Sequence, residues 1–465
     1  MKSDLEKIFK KTPNSIFFED IKNQKKISFK EFFERSKRIA NFLIDKENLR
    51  KGDKVIIRIN HSVIFYEFLI ACAIIGIVVC PISTSITSKR FREIKNLIKP
   101  KLLIFSEKEI FFSARDMLPN TYSQTNYNQD FLIIFSSGTT SGRPKGITHT
   151  LGNILESAQN FSILSKFTKN DVFHAFWPQH HMTGIFNLFF VPLVTSSKII
   201  LSDEFKIFLL RKLFAEANKF NVTKLYLSPT MCSMAINFRK DLLKNFKFKK
   251  NISIISTASI LYPSTFLKFK KIFKKNILKC YGVTELGGSL TIDLKPNIKG
   301  DFCVGKFSKN TKIFCKGTKK SPGKIYINSK FFMSNLINSR IRKNKLYDTG
   351  DIGYLNKGKL FVLGRTGDNV KKNGEFVSLS EIENLVIDID GIKNAMAVPY
   401  KDEIYGFKIK LFVEIQDKQS KLDIKNKLQN SFNLSLSKNE EPDQVIFKNK
   451  ILKTSTGKNI KFLYQ

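Results

Sequence analysis

The sequence predicts an α/β protein. A large N-terminal domain would hold two helix-flanked, mostly parallel sheets plus a small antiparallel β unit, followed by a small C-terminal α+β domain. Three observations lead there. Short apolar strands alternate with helical patterns up to about residue 290, the pattern of parallel sheets covered by helices. From about 290 to 364 the texture changes to short strands separated by Gly, Asn and Lys-Gly turns. Beyond Gly364-Arg365-Thr366-Gly367-Asp368, about 100 residues carry their own helix and strand patterns, enough for a separate domain. The domains are accordingly placed at 1–366 and 367–465.

Taken in order, residues 27–47 repeat apolar positions at helical spacing, and KGDKVIIRI at 51–59 reads as a turn into a strand. The most apolar run, 68–82, has 15 residues. A bilayer needs roughly 18–20. It predicts a buried helix turning at Gly76 into a buried strand ended by Pro81. Further strands are expected at 102–105, 131–135, 224–229 and 252–256. In the C-terminal domain a helix is expected around 379–388, strands near 394–398 and 408–414, a polar helix over 421–431 and a final loop, KTSTGK.

Lys and Arg number 79 against 40 Asp and Glu, a formal charge of +39. Such a surplus attracts nucleic acid, anionic lipid or an acidic protein. Only 13 of the basic residues are Arg, however, the lysines are spread along the whole length, and the chain is crowded with Phe, Ile and Asn. That pattern reads as compositional bias. No nucleic-acid partner is expected. The six cysteines form no C-x-x-C pair, and the histidines no H-E-x-x-H, so neither a disulfide framework nor a zinc site is legible. With no apolar leader and no membrane-spanning run, the expectation is a cytoplasmic protein.

The strongest chemical signal is FLIIFSSGTTSGRPKGITHT at 131–150. A buried strand empties into a loop holding Ser136, Ser137, Gly138, Thr139, Thr140, Gly142 and Lys145. Glycines let the backbone approach a ligand closely, hydroxyls and free N–H groups donate, and the lysine adds charge. The combination suits a polyphosphate. It is not a Walker loop, because Gly follows Lys145 and the glycine spacing differs.

Here the chain resembles the adenylate-forming superfamily of acyl-CoA synthetases, peptide-synthetase adenylation domains and beetle luciferases. Residues 136–146 resemble its phosphate loop, with one extra residue between Thr140 and Pro144. Tyr281-Gly282-Val283-Thr284-Glu285 resembles the adenine and Mg²⁺ segment, and Tyr347-Asp348-Thr349-Gly350-Asp351 the ribose segment. The hinge is matched by Gly364 to Lys371, then Gly374 and Glu381-Ile382-Glu383. Lys453 to Lys458 resembles the catalytic-lysine loop, with Leu452 where Pro is usual. Pro178-x-x-His181-x-x-Gly184 is similar to the acid-pocket histidine segment, and 256–260 stands at a pocket wall from which Thr257 and Ser259 depart. These motifs keep the family's order over essentially the whole chain.

The resemblance implies ATP, Mg²⁺ and coenzyme A, or a carrier protein's phosphopantetheine, as cofactors. Joining a carboxylate to the α-phosphate of ATP brings two anions together, so the site must supply positioned positive charge. Lys145 and its loop would hold the β- and γ-phosphates, Thr284 would donate to the α-phosphate, and Glu285 would hold Mg²⁺. Tyr281 and Gly282 would flank the adenine, while Asp351 would accept from the ribose hydroxyls and Arg365 donate to the same sugar. Alternatively, Asp351 and Arg365 simply pair with each other. His181, Ala258 and Gly282 would line the acid pocket. The C-terminal domain would be mobile about Gly367, presenting Lys458 for adenylation or the strand with Lys371 and Gly374 for thiol attack.

The expected function is a carboxylic acid–thiol ligase that forms acyl-AMP with release of pyrophosphate, then a thioester of coenzyme A. A carrier protein is the near alternative as acceptor. Amino-acid activation fits less well, because FHAFWPQHHMTG lacks an acid for the substrate ammonium. A different class is a dead synthetase scaffold binding nucleic acid or membrane surfaces through its charge. Against that reading, every reactive residue type stands at its matching place.

Overall fold

The structure is a computed structural model. It describes all residues except 1–3, 115–116, 120–124, 137–144, 239–245, 338–345, 367–368, 373–374, 403–405, 417–418, 454–458, 460, 462–463 and 465. Two large sheets dominate. The first is a 13-stranded sheet among the described residues. Its parallel half runs from Ile16–Asp20 through Lys198–Leu201, Val172–Ala175, Lys224–Leu227 and Ser253–Ser256 to Ile277–Val283. The strands of 16–20, 172–175, 198–201, 224–227 and 253–256 are only four or five residues long and buried over most of their length, as expected for strands covered on both faces.

At Ile277–Val283 the sheet changes character. Its next partner, Gly288–Asp293, is antiparallel, and the sheet continues through Cys303–Phe307, Lys359–Arg365, Tyr347–Asn356, Gly323–Ser329 and Thr311–Phe314. The small antiparallel unit anticipated from the turn-rich texture is therefore an extension of the parallel sheet. The second large sheet has six strands, in the order Asn335–Ile337, Lys145–Thr150, Asp130–Ser136, Val78–Pro81, Lys54–Ile57 and Leu102–Ile104. The last four are mutually parallel.

Local chemistry explains the helices between them. Ser28 caps Phe29–Asp45 by accepting from the Glu31 N–H, and the helix buries Phe29, Phe32, Ile39 and Leu43 along one face. Val63–Ile75 is buried nearly all round and ends at Gly76, whose φ of 72° lets the chain turn straight into Val78–Pro81. An aromatic cluster fills the N-terminal region. Phe17 stacks on Phe29 at 4.2 Å, Phe18 on Phe32 at 5.4 Å, and Phe189 joins them at 5.9 Å from Phe17.

Past residue 369 the described elements are a two-stranded ribbon, Asn369–Lys372 with Glu375–Ser378, and a three-stranded sheet of Ile392–Asp402, Gly406–Ile415 and Gln444–Phe447. Helices Leu379–Ile387 and Lys421–Ser435 pack with them around their own hydrophobic cluster, which includes Val377, Leu379, Leu411, Ile424 and Leu428. No helix among the described residues is long and apolar enough to cross a membrane.

Candidate active site

The six parallel strands of the large sheet all point the same way, so their C-terminal ends lie along one edge. The loops leaving that edge carry 176–184, 228–231, 257–260 and 284–287. Crevices at such carboxyl ends, where the strand order or direction switches, are where open α/β sheets bind ligands. Here the switch falls at Ile277–Val283, the strand that carries Tyr281 and Gly282.

Gly282 pairs with Ser289 across the antiparallel rung. A methyl group at Gly282 would lie 2.0 Å from the Gly288 carbonyl oxygen, so the two strands can meet only with glycine there. Tyr281 donates its hydroxyl to Asp351 Oδ2 at 2.6 Å, and Arg365 Nε donates to Asp351 Oδ1 at 3.2 Å. Asp351 is buried, whereas the Arg365 side chain is 53% exposed. Burial, then the Asp351 charge, pushes the Tyr281 phenol well above its ordinary range. Asp351 and Arg365 thus do pair directly, opposite each other in register, while Arg365 keeps an open face.

Thr284 and Glu285 follow in a single 3-10 turn closed by Gly287, whose φ is 78°. The Tyr347 phenol stands beside the Glu285 carboxylate; burial, then that charge, raises the phenol. Both carbonyls of the turn are held. Met333 N–H donates to Glu285 O at 2.8 Å, and His149 Nε2 lies 2.6 Å from Thr284 O. Tyr281, Thr284, Glu285, Tyr347, Asp351 and Arg365 therefore form one connected group.

On the second sheet, Asp130–Ser136 and Lys145–Thr150 form a hairpin in which Ser136 stands opposite Lys145. Lys145 is exposed at its mouth, and burial begins at Gly146. Ser137, Gly138, Thr139, Thr140 and Gly142 lie outside the described residues. So do Gly367, Gly374 and Lys458. Lys371 lies on Asn369–Lys372, opposite Phe376 in register. Lys453 and Asn459, on either side of 454–458, form an antiparallel bridge. Asn459 donates to Ala395 O at 2.8 Å and accepts from Asn394 at 3.0 Å.

The segment 176–184 is held from within. Trp177 Nε1 donates to Tyr226 O at 2.9 Å, and a methyl group at Gly184 would lie 2.4 Å from Pro178 O. His181 is half-buried, its ring 5.8 Å from that of Trp177, and its Nδ1 accepts from the Thr183 N–H at 3.2 Å. Its neighbour His180 is half-buried, and the desolvation lowers its pKa to about 4. A π-helix, Thr183–Phe190, follows, a form found mostly where side chains are being placed for function. Ala258 is exposed with φ of 73°, a left-handed conformation that costs a non-glycine residue about 1–2 kcal/mol. Behind it runs a buried polar chain. Cys280 Sγ lies 3.8 Å from Ser289 Oγ, and Ser289 donates to Asn187 Oδ1 at 2.9 Å.

Sequence reasoning missed His149, the closeness of Tyr347 to Glu285 and the Asn187–Ser289 pair. Only His149 left a signal, a polar residue in the apolar register of Ile147 and Leu151. Among the described residues no group of three or more His, Cys, Asp or Glu side chains could hold a metal by itself.

A family model described as AMP-binding enzyme matches residues 5–335. Acetyl-coenzyme A synthetase of Bacillus subtilis is 22% identical, over 97% of this chain and 86% of that protein. D-alanine–D-alanyl carrier protein ligase of Bacillus cytotoxicus is 25% identical, over 76% of this chain and 73% of that protein. Among solved structures, o-succinylbenzoate CoA synthetase from Bacillus subtilis, in complex with the acyl-adenylate intermediate OSB-AMP, shares the fold with a TM-score of 0.86. It is 19% identical, with 99% of this chain and 97% of that one covered. The chain belongs to the AMP-binding enzyme family and is an AMP-forming ligase of the adenylate-forming superfamily.

Proposed function

We propose that this chain joins a carboxylic acid to the α-phosphate of ATP, releases pyrophosphate, and passes the acyl group from acyl-AMP to the thiol of coenzyme A. The observation that carries the reading is the connected group at the sheet's switch point. There a buried carboxylate (Asp351) is held by the hydroxyl of half-buried Tyr281 and by half-exposed Arg365, and a second carboxylate stands on a tight turn (Glu285) beside half-buried Tyr347.

The residues fit Mg²⁺. A lone carboxylate, without a protein cage around it, suits an ion that keeps its waters and takes further ligands from phosphates. When bound, the ion neutralises charge on the phosphates. Glu285 would hold it, Thr284 would donate to the α-phosphate, and Lys145 with 137–144 would hold the outer phosphates. Asp351 and Arg365 would take the ribose, with Tyr281 and Gly282 beside the base. His181, Ala258 and Gly282 would line the acid. In this reading residues 1–366 form the adenylation domain, and 367–465 swing about Gly367. One state brings Lys458 to the reacting oxygens, the other the Lys371–Gly374 strand to the thiol.

The test is acid-dependent pyrophosphate release from ATP across a panel of carboxylic acids, followed by thioester analysis. Lys458→Ala should lower release on the order of 10²–10³-fold, the effect of removing one preorganised donor. Thioester formation from supplied acyl-AMP should survive. If no acid supports release, the reading fails. A carrier protein's phosphopantetheine is the second reading for the acceptor, favoured by the similarity to a carrier-protein ligase. Supplying coenzyme A and a loaded carrier in parallel separates the two.

A further inference from the structure

His149 stands on Lys145–Thr150, the strand that leaves the proposed phosphate loop, four residues past Lys145. It shares its face with buried Ile147 and Leu151, and it is itself fully buried. Its Nε2 lies 2.6 Å from the carbonyl oxygen of Thr284. A carbonyl can only accept, so Nε2 carries the proton. Burial keeps the ring neutral, lowering its pKa to about 4, and among the described residues the buried Nδ1 has no partner. An apolar side chain would pack in this register and leave nothing unpaired. What the imidazole adds is the bond to Thr284.

That bond closes a ring of three segments. Ser334 N–H donates to Thr148 O at 2.8 Å, Met333 N–H donates to Glu285 O at 2.8 Å, and His149 donates to Thr284 O. The first two links are main chain to main chain, and His149 supplies the side-chain link. Beyond it the Glu285 carboxylate meets the Tyr347 hydroxyl.

We propose that His149 is a positioning residue: by holding the Thr284 carbonyl it ties the strand leaving the phosphate loop to the turn that offers Glu285 to Mg²⁺. The inference rests on the reading of Glu285 given above. The test is calorimetric ATP binding, with and without Mg²⁺, to the full-length wild type and to His149→Leu, His149→Gln and His149→Asn. The Gln amide nitrogen falls near the place of Nε2 and keeps the donor, whereas Asn is too short to reach.

Without Mg²⁺ all four should bind ATP alike. With Mg²⁺ the wild type and His149→Gln should gain affinity, and the gain should shrink about 10–100-fold in His149→Leu and His149→Asn, the usual effect of removing a ligand's supporting partner. A full gain in Leu and Asn overturns the inference. So does a folded His149→Gln that loses the gain along with them. If the Leu variant does not fold, Gln against Asn decides alone. Wild-type ATP binding indifferent to Mg²⁺ overturns the reading of Glu285, and this inference with it.

Discussion

Tyr281→Phe removes one oxygen atom and should expose how the nucleotide site is held together. Its hydroxyl donates at 2.6 Å to a carboxylate that is only 5% exposed. A hydrogen bond to a charged group is worth about 1.5–3 kcal/mol. Because the bond exists before any nucleotide arrives, most of that loss should appear in stability and little in ATP affinity. Asp351→Asn should lose the same bond's stability and, in addition, weaken ATP binding about 10–100-fold by removing the charged acceptor for the ribose. In the double variant the two stability losses should overlap, giving a coupling of about 1.5–3 kcal/mol. Trp177 is the single tryptophan, buried and bonded to Tyr226 in the same sheet, so its fluorescence reports unfolding of that sheet in denaturant. ATP affinity comes from calorimetry. A coupling below about 0.5 kcal/mol would mean the hydroxyl and carboxylate do not act together. Equal losses of ATP affinity in the two single variants would refute the division between scaffold and ligand.

Gly282→Ala puts a carbon 2.0 Å from Gly288 O and 2.6 Å from Ser289 Cα, and backbone cannot step aside as a side chain can. The loss should reach about 3 kcal/mol or more, with pyrophosphate release lost alongside, both measured on the same preparation. Asn459→Ala should lower pyrophosphate release about tenfold, by loosening the bridge flanking 454–458, yet cost only about 1 kcal/mol in denaturant. Glu67 is buried 3.5 Å from Arg35, and burial, opposed by Arg35, raises its pKa to about 7. Its stabilising contribution is therefore complete below the ordinary value of 4.5 and lost as pH rises through 7. The stability of Glu67→Gln relative to wild type should climb by roughly 3 kcal/mol between pH 4.5 and 8. A flat difference across that range would show the carboxyl to be solvated.

The fold class was legible because strand and helix signals are local. The run 68–82 announces its turn at Gly76, LLIF announces a strand, and KLYL and SIIS each announce a buried one. The order in which strands pair is not local. Nothing between residues 16 and 28 says that a hairpin there borders Lys198–Leu201, or that the antiparallel strands extend the parallel sheet. The π-helix Thr183–Phe190 was equally opaque, since a segment buried on every side has no face for periodicity to reveal. The same holds at the site. Motif residues at 281–285, 347–351 and 365 were visible as short words. The bonds joining Tyr281 to Asp351 and His149 to Thr284 span 70 and 135 residues and leave no local trace.

The place of Ile16–Asp20 beside Lys198–Leu201 has a consequence for the chain as it is made. Phe18 waits for its sheet partner Ile199 until roughly 180 further residues have been added, about 10–40 s at ordinary rates of synthesis. Phe189, which caps the aromatic cluster, arrives almost as late. Phe9, Phe17, Phe18, Phe29 and Phe32 lie close in sequence and can collapse on one another during that wait, hiding part of their surface on the ribosome. The hairpin edge stays unpaired throughout. Nascent chains stalled between residues 30 and 190 are therefore the species most in need of a chaperone.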